Sequence, residues 1–172
     1  MFIAGPPTIG PGIIVNRSKK ESIRSHNDLQ KNQAPMFKPA VDYYKGLSDR
    51  AITNCVVVDV FACSLDQVGT LEVRGLVSRT GGLFVLADKF GQSVFRESLR
   101  RAFERIVSPE AAAAAAAGAA PAVSPQSPLQ MGFGGQIEVL HSREFKIAGA
   151  IGPCASLKKT GPTVAETEVG IG

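Results

Sequence analysis

Asp59 and Ser64 have the residue types and the position that chemistry at the end of a sheet strand requires. They flank the end of the apolar run at 56–62, VVVDVFA, which is typical of a strand buried on both faces of a parallel sheet. Ligands of open α/β sheets bind at the carboxyl ends of such strands, so this carboxylate and this hydroxyl could hold a metal ion or a substrate. We favour a structural interpretation, because Ser64 is also well placed to cap the helix that follows.

Other reactive groups lack the surroundings that catalysis needs. The loop at 5–12, GPPTIGPG, resembles a phosphate loop in its glycines alone, because it lacks the Lys and the Ser or Thr that contact phosphates and magnesium. His26 and His141 lie in different segments, and no Ser or Cys near either has the local context of an activated nucleophile. The sequence therefore predicts no catalytic residues.

The cysteines predict neither a disulfide framework nor a zinc ribbon. Cys55, Cys63 and Cys154 are odd in number and show no C-x-x-C spacing. Because free cysteine is among the most often buried residue types, we expect all three to be small core residues. No cofactor is expected from these residues.

Composition places the chain among soluble globular proteins and argues against two kinds of partner. The 172 residues are 44% hydrophobic, and no apolar stretch approaches the roughly 18 to 20 residues that span a bilayer. The net charge is +4, but the basic residues are spread along the chain, so no nucleic acid partner is expected. The residues before Gly5 are too few for a signal peptide, which favours a cytoplasmic location.

The middle of the chain predicts the fold class, because it encodes a strand, a helix and a second strand in order. Ser64 and Gln67 form an S-x-x-Q capping box, which places the start of the helix at about Leu65. Apolar residues then recur at helical spacing until Gly81 and Gly82, which supply the left-handed residue that commonly ends a helix. The apolar run LFVLA that follows is the second strand. Such a crossover joins parallel strands and is right-handed, so the sequence predicts an α/β sheet with this helix on one face.

Two further helices are predicted on either side of that unit. The first occupies about 39–51, because Val41, Tyr44 and Leu47 recur at helical spacing and Pro39 fits the first helical position. The second has the strongest amphipathic pattern in the chain, an i, i+4 apolar stripe of Val94, Phe95, Leu99, Ala102, Phe103, Ile106 and Val107. This stripe predicts that the second helix packs on the sheet.

The opposite face of that second helix is basic. It carries Arg96, Arg100, Arg101 and Arg105, with Glu97 four residues before Arg101 in the favourable orientation for an ion pair. We favour a solvated face with local ion pairs. The alternative is a partner interface or a contact with the acidic membrane surface, to which each suitably placed basic residue contributes about 1 kcal/mol.

Beyond this helix the pattern of the sequence changes twice. Residues 110–130 are rich in Ala, Pro and Ser, with almost no side chain to bury, and are interpreted as a low-complexity insert. From 131 to 172 the apolar period becomes two, as at Ile137 and Val139, with Gly and Pro between the runs. This pattern predicts antiparallel strands, as in a β-sandwich. The expected division is therefore 1–109 for the α/β domain, the insert, and the start of a sandwich.

Five long motifs carry a resemblance to a known family. In chain order they read FIAGPPTIGPG, IRSHNDL, DVFACSLDQVGTLE, SRTGGLFVLAD and IGPCASLKKTGPTVAETEVGIG. Together they are similar to the GTPase-activating inner-shell subunit of the COPII vesicle coat, from Phe2 to Gly172 apart from the alanine-rich insert. That family has a trunk resembling a von Willebrand type A domain, joined to a β-sandwich. The resemblance implies part of that trunk here, followed by an incomplete sandwich.

The resemblance also implies partners and a location. These are the cargo-selecting coat subunit, the small GTPase that recruits the coat, and peripheral contact with the endoplasmic reticulum membrane during transport to the Golgi. The family's arginine finger, which stabilises charge on the transferred phosphoryl group, lies in a gelsolin-like domain that matches nothing here. The zinc ligands of the family's zinc finger also have no corresponding residues in this sequence. The resemblance therefore predicts a binding component of the coat that is not itself an enzyme.

Some features depart from the family pattern. Pro35 and Pro39 fall where the family has a continuous helix, and the alanine-rich insert separates the last trunk helix from the sandwich. The resemblance also places the first trunk strands before Phe2 and the rest of the sandwich after Gly172. Uncovered sheet edges and apolar faces favour association, so we expect the chain alone to be marginally stable or prone to aggregate.

Two alternatives of other classes remain open on the sequence. A metal-dependent adhesion module of the von Willebrand type would need D-x-S-x-S after its first strand, and the residues at 59–63 read DVFAC instead. A nucleotide-dependent α/β enzyme is favoured only by analogy at the level of the fold. Magnesium binding would support the first, and a thermal shift with nucleotides would support the second.

Overall fold

The main unit of the protein is a small parallel sheet between helices. The structure, a computed structural model, describes residues 1–18, 22–104, 113, 116–118, 132–145, 147–159, 161–162 and 170–171. The sheet has the order β1-β2-β3, with strands Phe2–Ile3, Val60–Cys63 and Phe84–Ala87, all parallel. Helices α1 (His26–Gln30) and α2 (Phe37–Thr53) lie between β1 and β2 in the sequence, α3 (Thr70–Thr80) lies between β2 and β3, and α4 (Ser93–Ala102) follows β3. The predicted α/β class is confirmed.

Strand β2 is the centre of the core, because its alternate side chains pack into two separate apolar clusters. Val60 and Ala62 are fully buried among residues of α2 and α3. Phe61 and Cys63 pack instead with Phe95 of α4. Successive side chains of a strand point to opposite faces, so α2 and α3 cover one face of the sheet and α4 covers the other.

Strand β2 is shorter than the apolar run predicted. The run begins at Val56, but Val56 is 50% exposed and β2 starts at Val60. The register explains the difference, since β3 pairs with β2 from Val60 to Cys63 and β1 contributes two residues. A strand extends only as far as its neighbours offer hydrogen bonds, so the preceding valines lie outside it.

Helix α2 begins at Phe37, two residues before the predicted start. Pro39 is therefore its third residue, where the missing N–H costs no helical hydrogen bond. Ala40, Tyr44 and Ser48 form its buried stripe at intervals of four residues. The predicted helix is confirmed. Its start differs from the prediction because proline fits any position of the first turn, so Pro39 did not have to be the first helical residue.

The predicted start of α3 at Leu65 is wrong, and so is the capping box. The helix starts at Thr70 behind Gly69, whose φ is 82°. The Ser64 hydroxyl accepts a hydrogen bond from the Asp66 amide at 3.2 Å, so it stabilises a turn instead of the helix. A Cβ on Gly69 would lie 2.2 Å from Ile14 Cδ1. This left-handed glycine, close to the packed Ile14 side chain, prevents α3 from starting earlier.

The two glycines predicted at the end of α3 do end it. Gly81 has φ 73°, and its N–H donates to the Ser78 carbonyl at 3.3 Å. The Gly82 N–H donates to the Val77 carbonyl at 3.0 Å, which completes a Schellman motif. A Cβ on Gly82 would lie 2.1 Å from the Val58 carbonyl oxygen, so the chain can pass into β3 here only without a side chain.

Gly75 offers a test of how much helix propensity contributes. It lies inside α3, and a Cβ there would meet nothing within 4 Å. Gly75→Ala is expected to raise the free energy of unfolding by about 0.5–1 kcal/mol, because alanine loses less backbone entropy in a helix. Urea unfolding followed by circular dichroism measures the change. Gly46→Ala, in equally open space within α2, is the matched variant, and destabilisation by both would contradict the helix assignment.

Helix α1 carries a capping box that the sequence analysis did not identify. The Ser25 hydroxyl accepts from the Asp28 N–H at 3.2 Å, and the Ser25 N–H donates to Asp28 Oδ2 at 2.7 Å. This main-chain bond, and a further bond from the Ser25 hydroxyl, lower the pKa of Asp28 below its ordinary value. Both residues lie in the IRSHNDL motif, so this part of the motif has a structural role.

Ser25→Ala is expected to raise the pKa of Asp28 part of the way to its ordinary value, because the main-chain bond remains. A carboxyl group with a lowered pKa stabilises the fold above its unfolded pKa of about 3.9, and that contribution is lost as the pH falls through the lower folded pKa. The mutation should therefore weaken the pH dependence of stability in that acidic window. Carbon NMR titration of the carboxyl measures it, with Ser25→Thr as the control; an unchanged pKa in the alanine variant would contradict the capping box.

The predicted antiparallel strands after 131 are not observed among the described residues. Ile137 and Val139 are 86% and 61% exposed and lie outside any strand. The two short strands present, β4 (Ala150–Ile151) and β5 (Gly170–Ile171), pair in parallel. A pair of strands with two residues each is only marginally stable. A segment with alternating apolar residues needs a partner strand whose side chains pack beside its own. Apart from residues 113 and 116–118, the insert at 110–130 lies outside the described residues.

Candidate interaction surface

Helix α4 presents its predicted basic face to solvent. Phe95 is 5% exposed and anchors the helix on the sheet, and Leu99 and Ala102 pack beside it. Val94 and Phe103, which were predicted to share this stripe, are 62% and 60% exposed. The helix ends at Ala102, and Ile106 and Val107, which were predicted to continue the stripe, lie outside the described residues.

Three of the four arginines proposed for this face are described, and all three are exposed. They are Arg96, Arg100 and Arg101, whereas Arg105 lies outside the described residues. Glu97 accepts from Arg100 Nη2 at 2.9 Å and from Nε at 3.2 Å, instead of pairing with Arg101 as predicted. Arg100 holds the pKa of Glu97 below its usual range. On an exposed helix face, a carboxylate can pair with a cation three or four residues later in the sequence. Glu97 pairs with Arg100, which is three residues later.

The remaining two cations of this face have no ion-pair partner within the described part of the chain. Arg96 and Arg101 make no salt bridge there, although both guanidinium charges help to lower the pKa of Glu97. Cations that are not neutralised by neighbours are available to an external anion. The surface of α4 can therefore bind a negatively charged partner through these two side chains.

An aromatic cluster lies next to α4 on the same face of the sheet. Phe61 and Phe95 are buried and meet edge to face, with ring centroids 5.8 Å apart. Phe2 stacks on Phe61 at 5.4 Å, and Phe90 meets Phe95 at 5.0 Å. Phe2 and Phe90 remain 58% and 46% exposed. Sequence reasoning missed this exposed apolar surface, because its members come from four different segments and share no periodicity.

Asp59 and Ser64 do not form a site, because they lie at opposite ends of β2. Asp59 precedes the strand, and its Oδ1 accepts a hydrogen bond from the Leu83 N–H at 2.8 Å. This bond fixes the entry to β3. Ser64 follows β2 and faces the turn at Asp66. Both side chains are used structurally, and the hypothesis of a metal or substrate site at this pair is not supported.

The cysteines and histidines are also separated. Cys63 alone is buried, and burial raises the pKa of its thiol; Cys55 is exposed and Cys154 is half-buried, so the expectation of three core cysteines is wrong. Cys55 lies in the turn after α2 with φ 53°. In the described ranges, neither His26 nor His141 hydrogen bonds to a hydroxyl or thiol.

A metal site is not formed by the residues that the structure describes. No group of three or more His, Cys, Asp or Glu side chains comes together there. The zinc that the family resemblance implies therefore finds no fitting ligand set in those ranges. No helix in the described segments is long and apolar enough to cross a membrane. The described surface offers charge and apolar area for binding, with no reactive constellation.

The fold defines an α/β domain with a three-stranded parallel sheet flanked by helices. A family model described as the Sec23/Sec24 trunk domain matches residues 1–107. The chain is also 39% identical over 171 residues to the protein transport protein SEC23 F of Arabidopsis thaliana, which covers 99% of this chain. The chain belongs to the Sec23/Sec24 trunk domain family. This chain spans 20% of the length of that relative.

Proposed function

We propose that this chain is a structural and interaction part of the COPII coat in transport from the endoplasmic reticulum to the Golgi. The observation that carries the proposal is the trunk domain match over residues 1–107, supported by the identity of 39% to a plant transport protein of the same family. Its partners would be the cargo-selecting coat subunit and the coat-recruiting small GTPase. It would act in the cytoplasm, on the membrane surface of the endoplasmic reticulum.

The exposed aromatic and basic surfaces support a binding role. Phe2 and Phe90 provide apolar area beside the charged face of α4, and interfaces combine an apolar centre with a polar rim. GTPase activation would belong to a longer family member, because the family's arginine finger lies in a gelsolin-like domain that matches nothing in these residues.

The proposal is tested by separating binding from activation. Purified cargo-selecting subunit and the GTPase loaded with a non-hydrolysable GTP analogue are each titrated with the protein, and GTP hydrolysis is followed in parallel. Binding without faster hydrolysis is the expected result for this chain. Failure to bind either partner would overturn the proposed coat role, and faster hydrolysis would overturn the assignment of the finger to another domain.

A second candidate function, contact with an anionic membrane, is favoured by Arg96 and Arg101 of α4, which make no ion pair with any residue that the structure describes. Arg96→Glu with Arg101→Glu is expected to weaken binding to vesicles containing phosphatidylserine by about tenfold or more, at about 1 kcal/mol for each basic residue removed. Flotation measures the bound fraction. The matched control reverses Arg50 and Arg74, which are exposed on α2 and α3 across the sheet. Equal losses in both variants would show a net charge effect, and binding that ignores phosphatidylserine would exclude this function.

A further inference from the structure

Strand β3 is an open edge of the sheet, because β2 is its only partner strand among the described residues. The Val60 N–H of β2 donates to the Leu83 carbonyl at 2.8 Å. Alternate residues of a strand bond to the same neighbour in a parallel pair, so Phe84 and Leu86 direct their main-chain N–H and C=O groups away from β2. In the described ranges, no loop residue makes a main-chain hydrogen bond to these four groups.

This edge lacks the features that oppose the addition of a further strand. The segment 83–87 reads LFVLA, without the charged residue or the proline that natural proteins place on exposed edges. Its register with β2 is unbroken from Phe84 to Ala87, so no bulge turns the edge away. Leu83 and Leu86 are 46% and 54% exposed. The edge therefore offers hydrogen bonds and apolar area together.

We propose that two copies of this chain associate by pairing β3 with β3, antiparallel, around a two-fold axis at Val85. In this register Phe84 of each copy faces Leu86 of the other copy. Both residues have outward main-chain groups, so each such pair exchanges two hydrogen bonds. Val85 faces its own counterpart, and Leu83 faces Ala87 of the other copy. The two three-stranded sheets then form one continuous sheet, and both β3 edges are closed.

The partner is a second copy because the strand is complementary to itself. Every cross-strand pair within 83–87 joins two uncharged apolar residues in this register, and such pairs on one face stabilise antiparallel strands. Centring the pair on Leu86 instead would place Asp88 opposite Phe84. A charged peptide would find no opposite charge on 83–87 to balance its own. A two-fold contact of this kind closes with two copies, and it does not depend on the proposed coat role.

The association should be weak and should strengthen with salt. One pair of short strands buries only part of the roughly 1,200 Å² of a standard interface, so we expect a dimer in reversible exchange with the monomer. Each copy has a net charge of +4, and salt screens the repulsion between two such copies. Contacts of the α4 arginines with an anionic partner would weaken with salt instead.

Sedimentation velocity at protein concentrations up to about 1 mM measures this dimer. Leu86→Lys places a charge beside Phe84 of the other copy and should weaken dimerisation about tenfold or more, because the change is made in both copies. Leu65→Lys is the matched control, since it adds the same charge at a position that is 88% exposed in the loop after β2. A protein that stays monomeric throughout, or equal losses in the two variants, would overturn the proposal.

Amide hydrogen exchange locates the contact. The protection of the Phe84 and Leu86 amides should rise with protein concentration, because only the dimer gives them acceptors. The Val85 amide bonds to β2 in both states and is the internal reference. Leu86→Pro removes an outward N–H and no bond to β2, so a folded variant should be monomeric. A dimer that leaves the Phe84 and Leu86 amides unprotected, or that persists in the proline variant, would overturn the assignment to β3.

Discussion

Glu72→Ala is expected to lower the free energy of unfolding by about 3–5 kcal/mol, because it leaves the Arg24 guanidinium largely buried without its carboxylate. Total stabilities of domains are only about 5–15 kcal/mol, so this single change should bring the fold close to its limit. Burial decides the magnitude here, since Glu72 is 1% exposed. Urea unfolding monitored by circular dichroism gives the value.

Two controls separate burial from charge in this result. Glu97→Ala removes an ion pair of similar length on the exposed face of α4 and should cause no measurable change. The double variant Arg24→Met, Glu72→Leu should recover most of the loss, because neither partner is then left charged. If Glu97→Ala and Glu72→Ala were equally harmful, or if the double variant were no better than Glu72→Ala, the buried pair would not have the role assigned to it.

Phe61→Ala is the second substitution with a large expected effect, a loss of about 3–5 kcal/mol. Phe61 is 2% exposed on the central strand, and its ring contacts the rings of Phe2 and Phe95. Alanine would leave a cavity on the α4 face that neighbouring side chains could fill only in part. Urea unfolding measures the loss in stability, and the near-ultraviolet circular dichroism of the aromatic cluster should fall with it.

The control for this prediction is Phe2→Ala, which removes the same kind of ring from the edge of the same cluster. Phe2 is 58% exposed, so most of its surface remains in water and the expected loss is about 1 kcal/mol or less. Similar losses from the two variants would mean that Phe2 is covered by an association between molecules. That result would also locate the contact on this face.

The sequence predicts the α/β class well because β2, α3 and β3 follow each other with local signals. The apolar run of β3 and the glycines after α3 need no knowledge of the rest of the chain. The start of α3 could not be predicted in this way, because it depends on the approach of Ile14 to Gly69. A contact between residues so far apart in the sequence leaves no periodic pattern, whereas the local S-x-x-Q motif suggested an earlier start.

The same distinction applies to the candidate site. The basic face of α4 follows from helical spacing, so Arg96, Arg100 and Arg101 could be named from the sequence. The choice of Arg100 as the partner of Glu97 depends on side-chain conformation and could not. The exposed rings of Phe2 and Phe90 belong to one cluster because they contact the buried rings of Phe61 and Phe95. No sequence pattern within a single element indicates this cluster.

The position of β2 between two apolar clusters has a consequence for hydrogen exchange. The Val60 N–H donates to the Leu83 carbonyl, and the Phe61 N–H donates to the Met1 carbonyl, so the amides of this strand are bonded in both directions. Deuterium can replace their hydrogens only after the strand separates from its neighbours and from the helices on both faces. Amides of this kind exchange through global unfolding, so the slowest exchange in the domain belongs to these four residues, and their protection reports its whole stability.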